Sequence, residues 1–223
     1  WRAFDDEQRV KRERAGIPST YTIHDKGLST MIDQHDRDIH GKSLPPGQKA
    51  EIYRLRKWQR RIRVYDVTER NLAFALAEIS NISNHLNLPK NVLETASVIY
   101  RKAVKERLIR GRSIQGIASA AVYIACRQCG VTRGLEEIAE ASNIDKKDVG
   151  YYYRFLVKEL GYYNIPYFKP SQFITKYSNQ LVMEGKVEEI AHKIINTAKD
   201  LRLTSGKDPS GLAAAASYIA SVL

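Results

Sequence analysis

The chain has 223 residues, 43% of them hydrophobic, with a formal charge of +11 and only two cysteines. That length suits one large or two small domains with a packed core, and two cysteines cannot form a disulfide framework, which points to an intracellular chain. The basic balance favours acidic partners such as nucleic acid, an acidic protein face or an anionic membrane, but no apolar run approaches the ~18 residues of a transmembrane span, and the charged opening WRAFDDEQRVKRER is unlike a secretory signal.

Residues 1–66 hold charge runs and little sustained periodicity. Residues 1–14 read as a loose charged helix, broken by Gly16 and Pro18. Residues 20–33 (TYTIHDKGLSTMID) read as an extended arm with one short helix. Residues 52–64 place Arg54, Arg56, Lys57, Arg60, Arg61 and Arg63 together without an acid, interleaved with Tyr53, Leu55 and Trp58. As a helix this is basic nearly all round. It is either a solvated face or a helix lying on phosphates, with Trp58 packing one side.

From Thr68 onward helices dominate. Leu72, Leu76, Ile79 and Ile82 fall near helical spacing in a first helix that runs to about Leu86. Pro89 suits the first turn of the second, since its missing N–H is unsatisfied there anyway. This helix carries Val92, Ala96, Ile99 and Ala103 and ends near Leu108, with Gly111 as a turn residue after it. Ser113 can cap the third helix, in which Gly116, Ala118, Ser119, Ala120, Ala121 and Ala125 are small. Apolar on most sides, it reads as the central helix of a bundle.

Cys126 and Cys129 form a lone CxxC inside that helix; a zinc ribbon needs a second pair, so structural thiols are the plainer reading. His35 and His40 near Asp33, Asp36 and Asp38 lack an established ligand spacing. Arg110 and Arg112 flank Gly111 ahead of the third helix, a setting that fits either a phosphate site or plain surface solubility. Residues 135–156 (LEEIAEASNIDKKDVGYYYRFL) pattern as a short helix, a turn at Asn143-Ile144 and a second helix capped by Asp145, with Val149, Tyr152 and Leu156 inward. The arrangement resembles a helix-turn-helix, although any two packed helices give such a pattern. Its second helix exposes Lys146, Lys147, Arg154 and Lys158, which suits an acidic partner equally well.

The chain then repeats itself. Val92 matches Val187, an offset of 95 residues, and the register holds without a gap. Glu94 falls on Glu189, Ala103 on Ala198, Gly111 on Gly206, and Tyr123-Ile124-Ala125 on Tyr218-Ile219-Ala220. Asp208 stands where Ser113 does, a second capping residue type at the same place, and Lys207 stands opposite Arg112. The period exceeds the roughly 20–50 residues of solenoid units, so it reads as two copies of one helical domain. No Walker loop, dinucleotide fingerprint, nucleophile elbow or HExxH occurs, so catalysis is not expected.

The chain resembles the archaeal transcription factor B family, the counterpart of eukaryotic TFIIB, over nearly its whole length. The resemblance rests on WRAF at Trp1–Phe4, TIHDKGLST at Thr22–Thr30, LRKWQRRIRV at Leu55–Val64, RGRSI at Arg110–Ile114, YIACR at Tyr123–Arg127, and TSGKDP then GLAAAASYIAS at Thr204–Ser221. It implies an all-α fold of two tandem cyclin-like five-helix domains behind an extended arm. The expected divisions are an arm over 1–50, a basic linker helix over 51–66, and repeats over 67–163 and 164–223.

It also implies a role without catalysis: bridging promoter DNA, the TATA-binding protein and RNA polymerase, with help in DNA opening and start-site choice. Thr22, Ile23, His24, Asp25 and Lys26 match the segment that enters the polymerase cleft. Arg54, Arg56, Lys57, Trp58, Arg60, Arg61 and Arg63 match the linker that helps open DNA. Arg110, Arg112 and Lys207 match positions on the DNA backbone, and Lys146, Lys147, Arg154 and Lys158 the surface toward the TATA-binding protein.

The family pattern begins with a zinc ribbon, and zinc is expected only there. It also continues past Leu223 into the helix pair that would read bases upstream of TATA. A monomer outside its complex, cytoplasmic in an archaeon and nuclear only in a eukaryote, with no membrane contact, is the remaining expectation. The rival reading is a cyclin-like protein-interaction module that regulates a kinase; it accounts for the repeat but not for the arm or the basic helix.

Overall fold

The computed structural model describes residues 19–28, 32, 34–37, 42–63 and 67–222, apart from the side chains of Arg60, Ile62 and Arg63. The expected helix over residues 1–14, together with Asp33, Asp38 and His40, lies outside them. The elements are α1 (Pro46–Arg63), α2 (Val67–His85), α3 (Lys90–Lys105), α4 (Ile114–Gln128), α5 (Leu135–Ser142), α6 (Lys146–Glu159), α7 (Pro170–Leu181), α8 (Gly185–Asp200) and α9 (Pro209–Val222). Extended pairing among the described residues is confined to an isolated bridge between Arg37 and Ser43. The fold is all-α, as expected. The chain divides into two units, Trp1–Leu76 and Ala77–Leu223.

In the first unit, residues 21–27, within the stretch expected to be an extended arm with one short helix, form a turn. Lys26 N–H donates to the Ile23 carbonyl at 2.9 Å, Thr20 N–H to the Lys26 carbonyl at 3.2 Å, and Gly27 N–H to Asp25 Oδ1 at 3.0 Å. Lys26 and Gly27 both adopt left-handed backbone, at φ 59° and 78°, and two such residues in succession end a helical turn. The arm is tied to α1 by the Arg56–Asp36 ion pair at 2.8 Å and by Ile32 N–H donating to Gln59 Oε1 at 3.1 Å.

In the second unit α4 is the central helix and packs against α3, α5 and α6. Ile117, Ala118, Ala120, Ala121, Val122 and Ile124 are all buried there. The small side chains read from the sequence are what allow three neighbours around one helix. Further on, α9 packs against α7 and α8 around Phe173, Ile174, Ala191, Ile195, Ala213 and Ala216. Its Tyr218, Ile219 and Val222 are exposed, whereas Ile124, the counterpart of Ile219, is fully buried.

The 95-residue offset extends to backbone detail. Non-glycine residues at positive φ recur as Asn87 and Val182 (49° and 51°) and as Arg107 and Arg202 (54° and 57°), and Gly111 and Gly206 follow at 76° and 73°. Leu108 N–H donates to the Ala103 carbonyl at 3.0 Å and Leu203 N–H to the Ala198 carbonyl at 2.9 Å. Leu88 to Ser83 and Met183 to Ser178 repeat in the same way at 2.8 and 3.0 Å. These are the bonds that close helix C-termini through a left-handed residue. Pro89 differs slightly from expectation: it is the N-cap of α3, one place before the first helical residue.

Candidate nucleic-acid interface

The turn from α3 to α4 presents Arg107, Arg110 and Arg112, all exposed. Its shape is set locally. Arg107 and Gly111 take left-handed backbone, and the Arg112 guanidinium donates to the Leu108 carbonyl at 2.9 Å. The guanidinium also lies 3.9 Å from the centre of the Phe155 ring. Stacking and a carbonyl fix one face of Arg112 and leave its remaining donors to solvent, a good arrangement for meeting a phosphate with little ordering cost. Ser113 caps α4 as expected, its Oγ accepting from Gly116 N–H at 3.3 Å.

The equivalent turn before α9 has the same backbone and different chemistry. Lys207 is exposed, and Asp208 Oδ2 accepts from Gly211 N–H at 3.3 Å and from Ser210 Oγ at 2.5 Å. A carboxylate therefore already sits on this helix N-terminus, whereas the cap of α4 is a neutral hydroxyl. The two turns differ in how strongly they attract an anion.

Helices α5 and α6 meet through Asn143, at φ 51°, and Ile144, whose N–H donates to the Ala139 carbonyl at 3.0 Å. Val149 and Leu156 are buried and Tyr152 half-buried, the inward set that was expected. Asp145 stands at the N-cap of α6, but its side chain makes no capping bond. Lys146 ion-pairs with Glu136 of α5 at 2.5 Å, and hydrogen bonding to that carboxylate raises its pKa. Lys147, Arg154 and Lys158 are exposed alongside it. An open polar cleft of about 420 Å³ beside this turn is lined by Asn81, Asn84, His85, Gln115 and Asn143 among others.

On α1 the basic residues divide by face. Arg56 is turned into the arm contact, its side chain 14% exposed, and also donates to the His35 carbonyl at 3.3 Å. Arg54, Lys57 and Arg61 are exposed. Trp58 was expected to pack one side of this helix; it is 57% exposed instead, with the Arg61 guanidinium 5.4 Å from its ring centre. The side chains of Arg60 and Arg63 lie outside the described residues. In the arm, Lys26 is exposed and lies 5.6 Å from the Tyr21 ring centre, while Thr22, Ile23, His24 and Asp25 are half-buried.

Sequence reading missed Arg127. Only 7% exposed, it donates through Nε and Nη2 to the Pro166 carbonyl at 3.2 and 3.0 Å and through Nη1 to the Tyr153 hydroxyl. The rings of Tyr123, Tyr153 and Tyr167 surround it at 5.9, 5.4 and 5.1 Å. It fastens the segment that leads from α6 to α7. The available signal was the one charged residue on a helix made mostly of small and apolar residues.

Cys126 is buried on α4, and burial pushes its thiol up to about 12, the setting of a structural cysteine. Cys129 is half-buried at the end of the same helix. Among the described residues no cluster of three or more His, Cys, Asp or Glu side chains is placed to hold a metal, and no helix is long and apolar enough to cross a membrane.

Comparison with known proteins adds to this geometry. The family model for the transcription factor TFIIB repeat matches residues 68–159 and 164–223. The chain is similar over all 223 of its residues to "Transcription initiation factor IIB" of Methanococcus aeolicus, at 56% identity. It is likewise similar to the proteins of that name from Methanosphaerula palustris, at 53%, and Archaeoglobus fulgidus, at 54%. The chain spans 66% of the length of the Methanococcus and Methanosphaerula relatives and 68% of the Archaeoglobus one.

Proposed function

We propose a function from one premise: the chain belongs to the TFIIB family of transcription initiation factors. It acts by binding alone, as a general initiation factor that bridges promoter DNA, the TATA-binding protein and RNA polymerase. Arg110, Arg112 and Lys207 meet DNA phosphates. Lys147, Arg154 and Lys158 face the acidic TATA-binding protein, with Lys146 pinned beside them by Glu136. The arm around Thr22–Lys26 approaches the polymerase active centre, and the outward cations of α1 assist DNA opening. Outside the complex the chain is a cytoplasmic monomer that needs no cofactor of its own.

The observation that carries the DNA reading is the pre-set Arg112, stacked on Phe155 and bonded to Leu108 with donors left over. A cation held for solubility alone gains nothing from such fixing, because exposed charges are ordinarily mobile. The basic helix and the arm support the initiation-factor reading over a kinase-regulating cyclin-like module, which has no use for either.

Charge reversal tests it. Arg110→Glu/Arg112→Glu is expected to weaken assembly with a TATA-containing duplex and TATA-binding protein by tenfold or more in a gel-shift titration. Undiminished assembly would contradict the phosphate role and favour the protein-interaction module.

A further inference from the structure

The two inter-helix turns share one backbone and carry opposite electrostatic characters. From Arg101 to Arg112 the first has six cations and a single acid, Glu106. The aligned stretch, Asn196 to Lys207, has three cations, and Asp200 stands where the first has Lys105, with Asp208 next in line on the helix cap. Of the six, Lys102 is drawn aside: its Nζ is 3.1 Å from the Tyr162 hydroxyl and 5.3 Å from that ring's centre. Lys105, Arg107, Arg110 and Arg112 are exposed. The corresponding positions of the second turn are Asp200, Arg202, Ser205 and Lys207. Between them Leu201 and Leu203 are 69% and 57% exposed, so this turn offers apolar surface among few charges.

A duplicated scaffold with equal charge on both copies would have two equivalent ways to lie along a duplex. Phosphate attraction is independent of sequence, so only a difference between the copies breaks that tie. We infer that the α3–α4 turn carries most of the phosphate grip of the duplicated scaffold, that Lys105 and Arg107 extend it beyond Arg110 and Arg112, and that the α8–α9 turn contributes little. The charge difference between equivalent turns thereby makes the first repeat the stronger grip on the DNA backbone, with Lys207 the weaker contact of the second. This rests on the reading that the chain binds promoter DNA. Arg107 is exposed on left-handed backbone, and the bond that closes the helix end is kept there, as Leu108 N–H still reaches the Ala103 carbonyl.

The test is the salt dependence of affinity for a TATA-containing duplex with saturating TATA-binding protein, measured with the chain as it stands. Lys105→Gln/Arg107→Gln is expected to lower the slope of log K against log salt by about 1.8, at about 0.9 for each phosphate no longer neutralised. Lys105→Gln alone is expected to lower it by half as much, which guards against a misfolded double variant. Arg202→Gln/Lys207→Gln is expected to change it by less than half the first double variant's effect. Equal effects from the two turns would overturn the inference. So would an unchanged slope in Lys105→Gln/Arg107→Gln while Arg110→Gln/Arg112→Gln lowers it, although the DNA reading would then stand. Failure of the parent chain to bind the duplex at any salt concentration would remove the DNA reading itself.

Discussion

The ring of Tyr152 occupies the space that a Cβ on Gly116 would need: the added carbon would stand 2.2 Å from Tyr152 Cε2 and 2.5 Å from Cδ2. The ring brings α6 close against α4, and it explains a glycine inside a buried helix. At Gly211, the 95-residue counterpart, an added Cβ would meet only Asp208 Oδ2 at 4.0 Å. Gly116→Ala is therefore expected to destabilise by about 1–3 kcal/mol through overpacking. Gly211→Ala is expected to stabilise by about 0.5–1 kcal/mol, as alanine does in an open helical position. Thermal melts of the two single variants check the opposite signs.

Val182 closes α7 in the left-handed region at φ 51° and ψ 50°, where its counterpart Asn87 closes α2. A β-branched side chain is strained there, and asparagine tolerates it. Val182→Asn is expected to raise stability by about 1 kcal/mol, and Asn87→Val to lower it comparably. Chemical denaturation midpoints decide the matter, since an 89% exposed Val182 has no packing to lose.

The central small-residue helices and the caps at Ser113 and Asp208 were legible because each depends on neighbours within a few residues, and the duplication because one fixed offset of 95 residues aligns identical side chains. The all-α fold and family membership followed. What was not legible depends on pairs far apart in sequence. Arg56 looks like one more cation in a basic run, but Asp36 lies 20 residues away and takes it out of solvent. Lys146 looks free until the α5–α6 turn brings Glu136 to it. Trp58, expected to pack one side of the basic helix, stays exposed on α1, and an arginine is what lies beside it. Asp145 occupies a cap position without making the bond, so residue type alone overstated its role.

Glu137 links the two repeats. It accepts from Lys176 of α7, from Arg133 at 3.2 Å and from Gly134 N–H at 2.9 Å. Burial pushes its carboxyl up, but the bonds from Lys176, Gly134 and Arg133 outweigh burial and leave it below the usual carboxylate value. A depressed carboxyl stabilises the fold above the unfolded value of about 4.3, and that stability is lost as pH falls through the folded value. Unfolding free energies are expected to fall between pH 6 and pH 3 by more in the parent than in Glu137→Gln, which has no such proton to take up. Parallel pH profiles would contradict this linkage.

Arg127 leaves the Pro166 carbonyl and the Tyr153 hydroxyl without its donors if removed. Arg127→Met is expected to destabilise by about 2–3 kcal/mol, the scale of hydrogen bonds to a charged group. Arg127→Lys keeps the charge and loses the fork, so it is expected to recover only part of that. Amide hydrogen exchange over residues 161–169 should accelerate in both, and more in the methionine variant. Unchanged exchange there would show that the segment is held by other means.

The most direct test of the proposed bridging role is fluorescence anisotropy of a labelled TATA-containing duplex titrated with this chain, with and without TATA-binding protein, at two salt concentrations. The proposal expects salt-sensitive binding that tightens markedly when the TATA-binding protein is present, and that loses this gain when Lys147, Arg154 and Lys158 are neutralised. Binding that is absent, or indifferent to the TATA-binding protein, would contradict it.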